Sequence, residues 1–229
     1  SRSPRRPRAH NCQAPPLAPL HDVSRLAELS QAQLKQSLDA FVELDVAKAR
    51  ERNIYIVFGL TEVRQTAFSP LLYNSAATVG PEGVLGVFSK VHLPGDERHV
   101  FRRGGSWPVV ETPLGRLGTL ICYDQMFPES TRELTLGGAE ILVLCTAWPI
   151  FLRHQYDIFS KARAAENHRW YICSNQVGHC DRGDMEYYGH SRIIDPRGRV
   201  VAETGDGEEG LALATIDVEA DIAKQRNTI

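Results

Sequence analysis

From Leu26 onward the apolar positions fall first at helical and then at strand spacing. Leu29, Leu34, Leu38, Phe41, Val42 and Leu44, set among Ala, Gln, Lys and Glu, predict a helix over 26–50. The rhythm changes at Ile54, where the nearly continuous apolar run 54–58 ends at Gly59, as suits a strand covered on both faces. Further strands are predicted over 74–79 and 84–93, joined by the turn Gly80-Pro81-Glu82-Gly83, and over 117–122, 141–146 and 170–176. Two more, 191–195 and 200–202, flank the turn Asp195-Pro196-Arg197-Gly198, and a last one is expected over 211–217. Helices are predicted over 128–136, opened by Pro128 and closed by Gly137-Gly138, and over 154–169.

Strands alternating with helices imply an α/β fold, and the hairpins add antiparallel character. Two sheets packed face to face, with helices outside, would account for strands buried on both sides. No internal repeat is visible. Residues 1–20, rich in Arg, Pro and Ala, have no hydrophobic period and are expected to be disordered or foreign to the fold. The domain proper is expected over 21–229.

Composition narrows the function classes. With 229 residues, 42% of them hydrophobic, the chain can bury a sizeable core, and a net charge of -2 gives no bulk signal for nucleic acid or anionic lipid. No apolar run approaches the roughly 20 residues of a spanning helix. The basic start, Ser1 to Arg8, has no apolar stretch behind it and does not read as a secretory signal. The five cysteines (Cys12, Cys122, Cys145, Cys173 and Cys180) are odd in number and lack zinc-finger or CxxC spacing. Free thiols in a reducing cytoplasm, with neither metal nor cofactor, are the simplest expectation.

Two residues draw attention as chemistry. Cys122 stands where a buried strand runs into a turn and then a helix opening near Pro128. A nucleophile at such a bend projects from the sheet beside free backbone N–H groups. By itself Cys122 reads better as a small core residue, as free cysteines often are. Lys90 lies in the apolar segment Gly86 to Pro94, and a lysine seldom goes inside unpaired. It is either an edge-strand lysine that blocks aggregation or a buried ammonium compensated by a carboxylate such as Glu97.

The segments Lys90-Val91-His92-Leu93 and Ile121-Cys122-Tyr123-Asp124, the latter followed by Phe127-Pro128-Glu129, together resemble the nitrilase superfamily of carbon–nitrogen hydrolases. Gly138-Ala139-Glu140, Arg163-Ala164-Ala165-Glu166-Asn167, Asn175 with Gly178, Gly189-His190-Ser191 and Ile194-Asp195-Pro196-Arg197-Gly198 follow in the family's order. Each is weak alone, but the ordered set, from about Ile54 to Asn227, is specific. The resemblance implies a four-layer α-β-β-α sandwich and hydrolysis of non-peptide C–N bonds in small aliphatic amides, N-carbamoyl amides or nitriles. It implies Cys122 as nucleophile, Lys90 and the backbone N–H of Tyr123 as oxyanion hole, and Glu97 as the carboxylate that supports the lysine and positions water. Trp148 and Asn175 are expected at the substrate pocket, although burial and backbone satisfaction explain them as well. His92, Arg163 and Glu166 are expected to be structural. A homodimer or larger homo-oligomer acting on a small molecule, away from nucleic acid and membrane, completes the picture.

The chain departs from the family in one respect. The family's first strand, first helix and second strand should precede Ile54, and the second should end in a Pro-Glu whose glutamate is the general base. No such Pro-Glu lies upstream of Lys90, and Glu62 matches a different position. The expectation is therefore an N-terminal strand-helix-strand missing or replaced, a family tail cut short, and weak or no turnover. A fold kept for a structural or assembly role is the alternative.

Overall fold

The computed structural model describes residues 42–67, 69–180 and 184–226. The segment 1–20, and the helix expected before residue 42, lie outside the described residues. Helix α1 covers 42–52 and leads into the antiparallel strands β1 (Ile56–Arg64), β2 (Leu71–Gly80) and β3 (Gly83–Ser89). A four-residue helix, α2 (Glu97–Val100), follows. Then come β4 (Val109–Thr112), β5 (Gly115–Ile121), a 3-10 turn (Cys122–Met126), α3 (Pro128–Leu136) and β6 (Ile141–Thr146). A second 3-10 turn (Ile150–Leu152) precedes α4 (Arg153–Asn167) and β7 (Trp170–Asn175). The hairpin β8 (Val177–Cys180) and β9 (Met185–Tyr188) comes next, then β10 (Arg192–Ile194), β11 (Val200–Glu203) and α5 (Val218–Arg226).

The strands form a three-stranded sheet, β1-β2-β3, and a six-stranded sheet in the order β11-β10-β7-β6-β5-β4. In the larger sheet β5, β6 and β7 run parallel, because α3 and α4 return the chain between them; the outer strands pair antiparallel.

Apolar clusters show how the layers stack. Val46 and Ala49 of α1 pack on Ile56, Phe58, Ala77 and Val79 of the small sheet. Ala76, Phe88 and Val91 meet Ile121 and Cys145 between the sheets, and Val57 meets Leu117, Ile141 and Trp170. Leu120, Leu142, Leu144 and Tyr171 pack outward against Leu134 of α3 and Tyr156 and Ala164 of α4. The expected α-β-β-α order follows from these contacts. Gly118 is what lets α3 lie close on β5, since a Cβ there would stand 3.1 Å from that of Leu134 and 3.0 Å from that of Ala139.

Several predicted boundaries move. The strand expected over 84–93 ends at Ser89, so Lys90 lies just beyond β3 and not inside a strand. The strand expected over 211–217 does not form: the segment is unpaired, and Leu211 and Leu213 are exposed. Its alternating pattern fits a strand, but period alone cannot supply a neighbour to pair with. The elements β4, β8, β9, α2 and α5 were not predicted; the first four have four residues each, too few to establish a period, and the nine residues of α5, VEADIAKQR, carry no amphipathic period.

Candidate active site

Strand β5 is buried from Leu117 to Ile121 and delivers the chain to Cys122 at φ 46°. A positive φ in a residue with a side chain is uncommon and costs about 1–3 kcal/mol, so neighbouring contacts must hold it. Asp124, fully buried, provides them. One carboxylate oxygen accepts the Ile121 N–H at 3.2 Å. The other accepts the His92 N–H at 2.9 Å and stands 3.0 Å from His92 Nδ1. Burial pushes the Asp124 carboxyl up, against the opposing pull of the hydrogen bonds from His92 and Ile121. His92 also stacks on Phe127 with ring centres 3.9 Å apart.

Helix α4 clamps the far end of the bend. Arg163 donates from Nε to the Gln125 carbonyl at 2.8 Å and from Nη2 to the Met126 carbonyl at 3.0 Å, and it pairs with Glu166 at 3.0 Å. Asn167 donates to Thr131 Oγ1 at 3.0 Å, tying α4 to α3. Thus Arg163, Glu166 and His92 hold structure together, in keeping with the sequence reading.

Lys90 is 1% exposed. Its backbone is fixed on both sides, the N–H to the Asn74 carbonyl and the carbonyl to the Gly104 N–H, each 2.8 Å. Gly104 is required here, because a Cβ would run into the Ser89 carbonyl. The ammonium donates to both carboxylate oxygens of Glu97 at 2.8 Å, and Asn74 Nδ2 adds a third contact at 3.3 Å. Lys90, Glu97, Cys122 and Asn175 line one cavity of about 520 Å3. A second cavity of about 540 Å3 shares Glu97, Cys122 and Tyr187 with the first and extends past Tyr123, Trp148 and Phe151. A separate depression of about 660 Å3, behind Tyr123 and lined by His92, Arg98, Arg102 and Arg103, does not reach Cys122.

Tyr123 follows Cys122 at the start of the 3-10 turn, where backbone N–H groups lack an acceptor within the turn. Asn175 has its polar atoms engaged. Its Oδ1 accepts the Trp148 N–H at 2.7 Å and its Nδ2 donates to the Gly189 carbonyl at 2.5 Å, so it ties two loops together at the cavity wall. Trp148 is buried and donates from Nε1 to the Leu152 carbonyl at 3.0 Å. Glu62 lies outside both cavities, bound to Arg64 and Ser75.

Of the other thiols, Cys145 also lines the first cavity, but burial pushes it up to about 11, and burial pushes Cys173 up to about 12. Sequence reasoning assigned no individual role to Asn74, Asp124, Phe151, Met185 or Tyr187. Asp124 carried a signal as part of the Ile121 to Asp124 motif, and Phe151, Met185 and Tyr187 fall in the segments 148–156 and 179–188, where the resemblance places loops that set specificity. Among the described residues, no group of His, Cys, Asp or Glu converges to hold a metal, and no helix is long and apolar enough to cross a membrane.

A family model described as carbon-nitrogen hydrolase matches residues 16–224, and the chain belongs to that family, one of amidase- and nitrilase-type enzymes. It is 36% identical over 172 residues to a probable nitrilase of Schizosaccharomyces pombe, covering 75% of this chain and 62% of that protein. It is 34% identical over 174 residues to 2-oxoglutaramate amidase of Bacillus subtilis, covering 75% and 65%. The chain thus spans less than two thirds of these curated relatives. Among solved structures, a branch 10 nitrilase-superfamily member from Saccharomyces cerevisiae superposes with a TM-score of 0.73 at 27% identity, covering 82% of this chain and 68% of that one. A glutamate-to-glutamine variant of the amidase from Nesterenkonia sp. AN1 superposes with a TM-score of 0.71 at 27% identity, covering 85% and 73%. It carries the acetamide moiety of fluoroacetamide covalently on its active-site cysteine.

Proposed function

We propose that this chain hydrolyses a non-peptide C–N bond, in a small aliphatic amide, an N-carbamoyl amide or a nitrile, through a thioester on Cys122. The observation that carries the reading is the convergence of Lys90, Glu97 and a strained Cys122 on one cavity. For an amide, the Cys122 sulfur attacks the carbonyl carbon. The electron pair moves onto oxygen, where Lys90 Nζ and the Tyr123 N–H would receive it. Collapse breaks the C–N bond, and the nitrogen leaves as amine or ammonia with the proton that the Cys122 thiol gives up. Water then attacks the thioester, the C–S bond breaks, and the acid departs as the thiol is restored. Glu97 holds the lysine and positions that water. No step needs a metal or cofactor.

Relatives named 2-oxoglutaramate amidase and N-carbamoylputrescine amidase support the reaction class. Free thiols suit a reducing cytoplasm, and assembly as a homodimer or larger homo-oligomer completes the proposal. The test is an ammonia-release screen over amides, carbamoyl amides and nitriles. Turnover should fall by roughly 10^4 in Cys122→Ala; turnover that survives that substitution would overturn the assignment.

One observation favours a second reading. Among the described residues, the carboxylates lining the two cavities are Asp96 and Glu97, and Glu97 is already bonded to Lys90 and Asn74. Among the described residues, no further carboxylate stands there to take the thiol proton. In this reading the chain keeps a reactive thiol but hydrolyses weakly, and serves a structural or assembly role. Robust hydrolysis that depends on Cys122 would eliminate it.

A further inference from the structure

The two cavities that meet at Cys122 differ in chemistry. The wall of the first is rich in hydrogen-bonding groups, with Asn74, Lys90, Glu97, Thr146, Asn175 and Gln176 around the sulfur. It suits a compact polar head such as an amide. The second leads away from the same sulfur between Trp148, Pro149, Phe151, Leu152, Met185 and Tyr187. Among the described residues, the charged groups that line it are Asp96, which is exposed, and Glu97, which is engaged by Lys90, and no cation lines it.

Phe151 adds a second line of argument. It is 72% exposed, and it lies on this wall and not in the core. An aromatic side chain left open beside a nucleophile, in line with Leu152 and Met185, is surface that a ligand can cover.

We infer that the second cavity receives the tail of the substrate, the part beyond its amide head, and that this tail is uncharged and apolar, a medium-length alkyl or aryl chain. The inference rests on the reading of Cys122 as nucleophile. A carboxylate on that tail would lie against Trp148, Leu152 and Met185 and give up hydration that apolar groups do not replace. Among the described residues, an ammonium tail would meet Asp96 at the solvent edge, where a salt bridge contributes little. Each added methylene of a neutral tail should favour binding by roughly fourfold until the cavity is filled. The chain is thus set apart from relatives named for substrates with charged tails, 2-oxoglutaramate and N-carbamoylputrescine.

Covalent labelling tests the inference without requiring turnover. The full chain is treated at neutral pH with iodoacetamide and with its N-hexyl, N-benzyl, N-(3-carboxypropyl) and N-(3-aminopropyl) derivatives. Modification of Cys122 is followed by mass spectrometry and normalised to the rate of each reagent with glutathione. The alkyl and benzyl reagents should label Cys122 at least tenfold faster than the carboxypropyl reagent, with the aminopropyl reagent between. Phe151→Arg, at an exposed position that tolerates the change, places a cation at the cavity and should raise the relative rate of the carboxypropyl reagent at least fivefold. Met185→Arg should do the same from the opposite wall. Equal normalised rates for all tails, or a preference for the carboxylate in the unaltered chain, overturn the inference and leave the assignment of Cys122 intact. A Cys122 that resists iodoacetamide itself overturns both.

Discussion

Two regions face the same sulfur and are built in opposite ways. On one side the bend from Ile121 to Phe127 is gripped from three directions. Asp124 binds it to the loop after β3, Arg163 binds it to α4, and β5 anchors it in the sheet. On the other side the β8–β9 hairpin pairs only with itself within the sheets, and its neighbour Phe151 stands open to solvent. The first region holds a strained backbone, and strain persists only where the surroundings over-determine it. The second also contains a positive φ, at Asp184 (45°), but in an exposed turn where an aspartate adopts it readily, and such a wall can vary in sequence at little cost to stability, which suits one that selects substrates.

The comparison is broken most directly at Asp124. Asp124→Leu leaves the N–H groups of Ile121 and His92 without their acceptor in a dry interior and should cost about 3–5 kcal/mol. Urea unfolding would measure it, and a loss below about 1 kcal/mol would mean that the bend does not depend on this carboxylate.

The thiols behind the bend sharpen the contrast by pH. Burial raises Cys145 to about 11 and Cys173 to about 12, from an ordinary 9.0. The folded chain therefore keeps these protons after the unfolded chain has shed them. Their contribution to stability is flat below about pH 8 and is lost as pH rises from about 9 towards 12, at up to ~1.4 kcal/mol per pH unit for each thiol. Denaturation midpoints measured from pH 7 to 10.5 should fall along that course, and neither thiol should be alkylated at neutral pH before unfolding. Early alkylation of Cys173 would contradict its burial.

The smallest effect is expected on the open wall. Phe151→Ala should change the urea midpoint by less than about 0.5 kcal/mol, because the side chain is already exposed. A loss of 2 kcal/mol or more would show that Phe151 belongs to the core and that the two regions are less different than they look.

The long elements were legible because each carries its own period. β6, β7, α3 and α4 fall within two residues of where the pattern sets them. The unpaired stretch 211–217 was not legible, because alternation describes a face and cannot say whether another strand lies beside it. At the site, the motifs singled out Lys90, Glu97 and Cys122. They were silent on Asn74, whose amide reaches Glu97; for Phe151 and Tyr187 they offered only the loops 148–156 and 179–188, and not which side chains of those loops line the cavity beside the sulfur.

The sequence by itself determined the α/β alternation, the family, and the presence of a cysteine at a strand-to-helix bend with a lysine in an apolar segment, because those are written in local spacing and residue type. Only the tertiary structure decided that Lys90 and Glu97 face each other at 2.8 Å, that Asp124 holds the bend, and that an apolar cavity opens beside the polar one. Those facts depend on segments far apart in the chain meeting across two packed sheets, and no local pattern records which of them will meet.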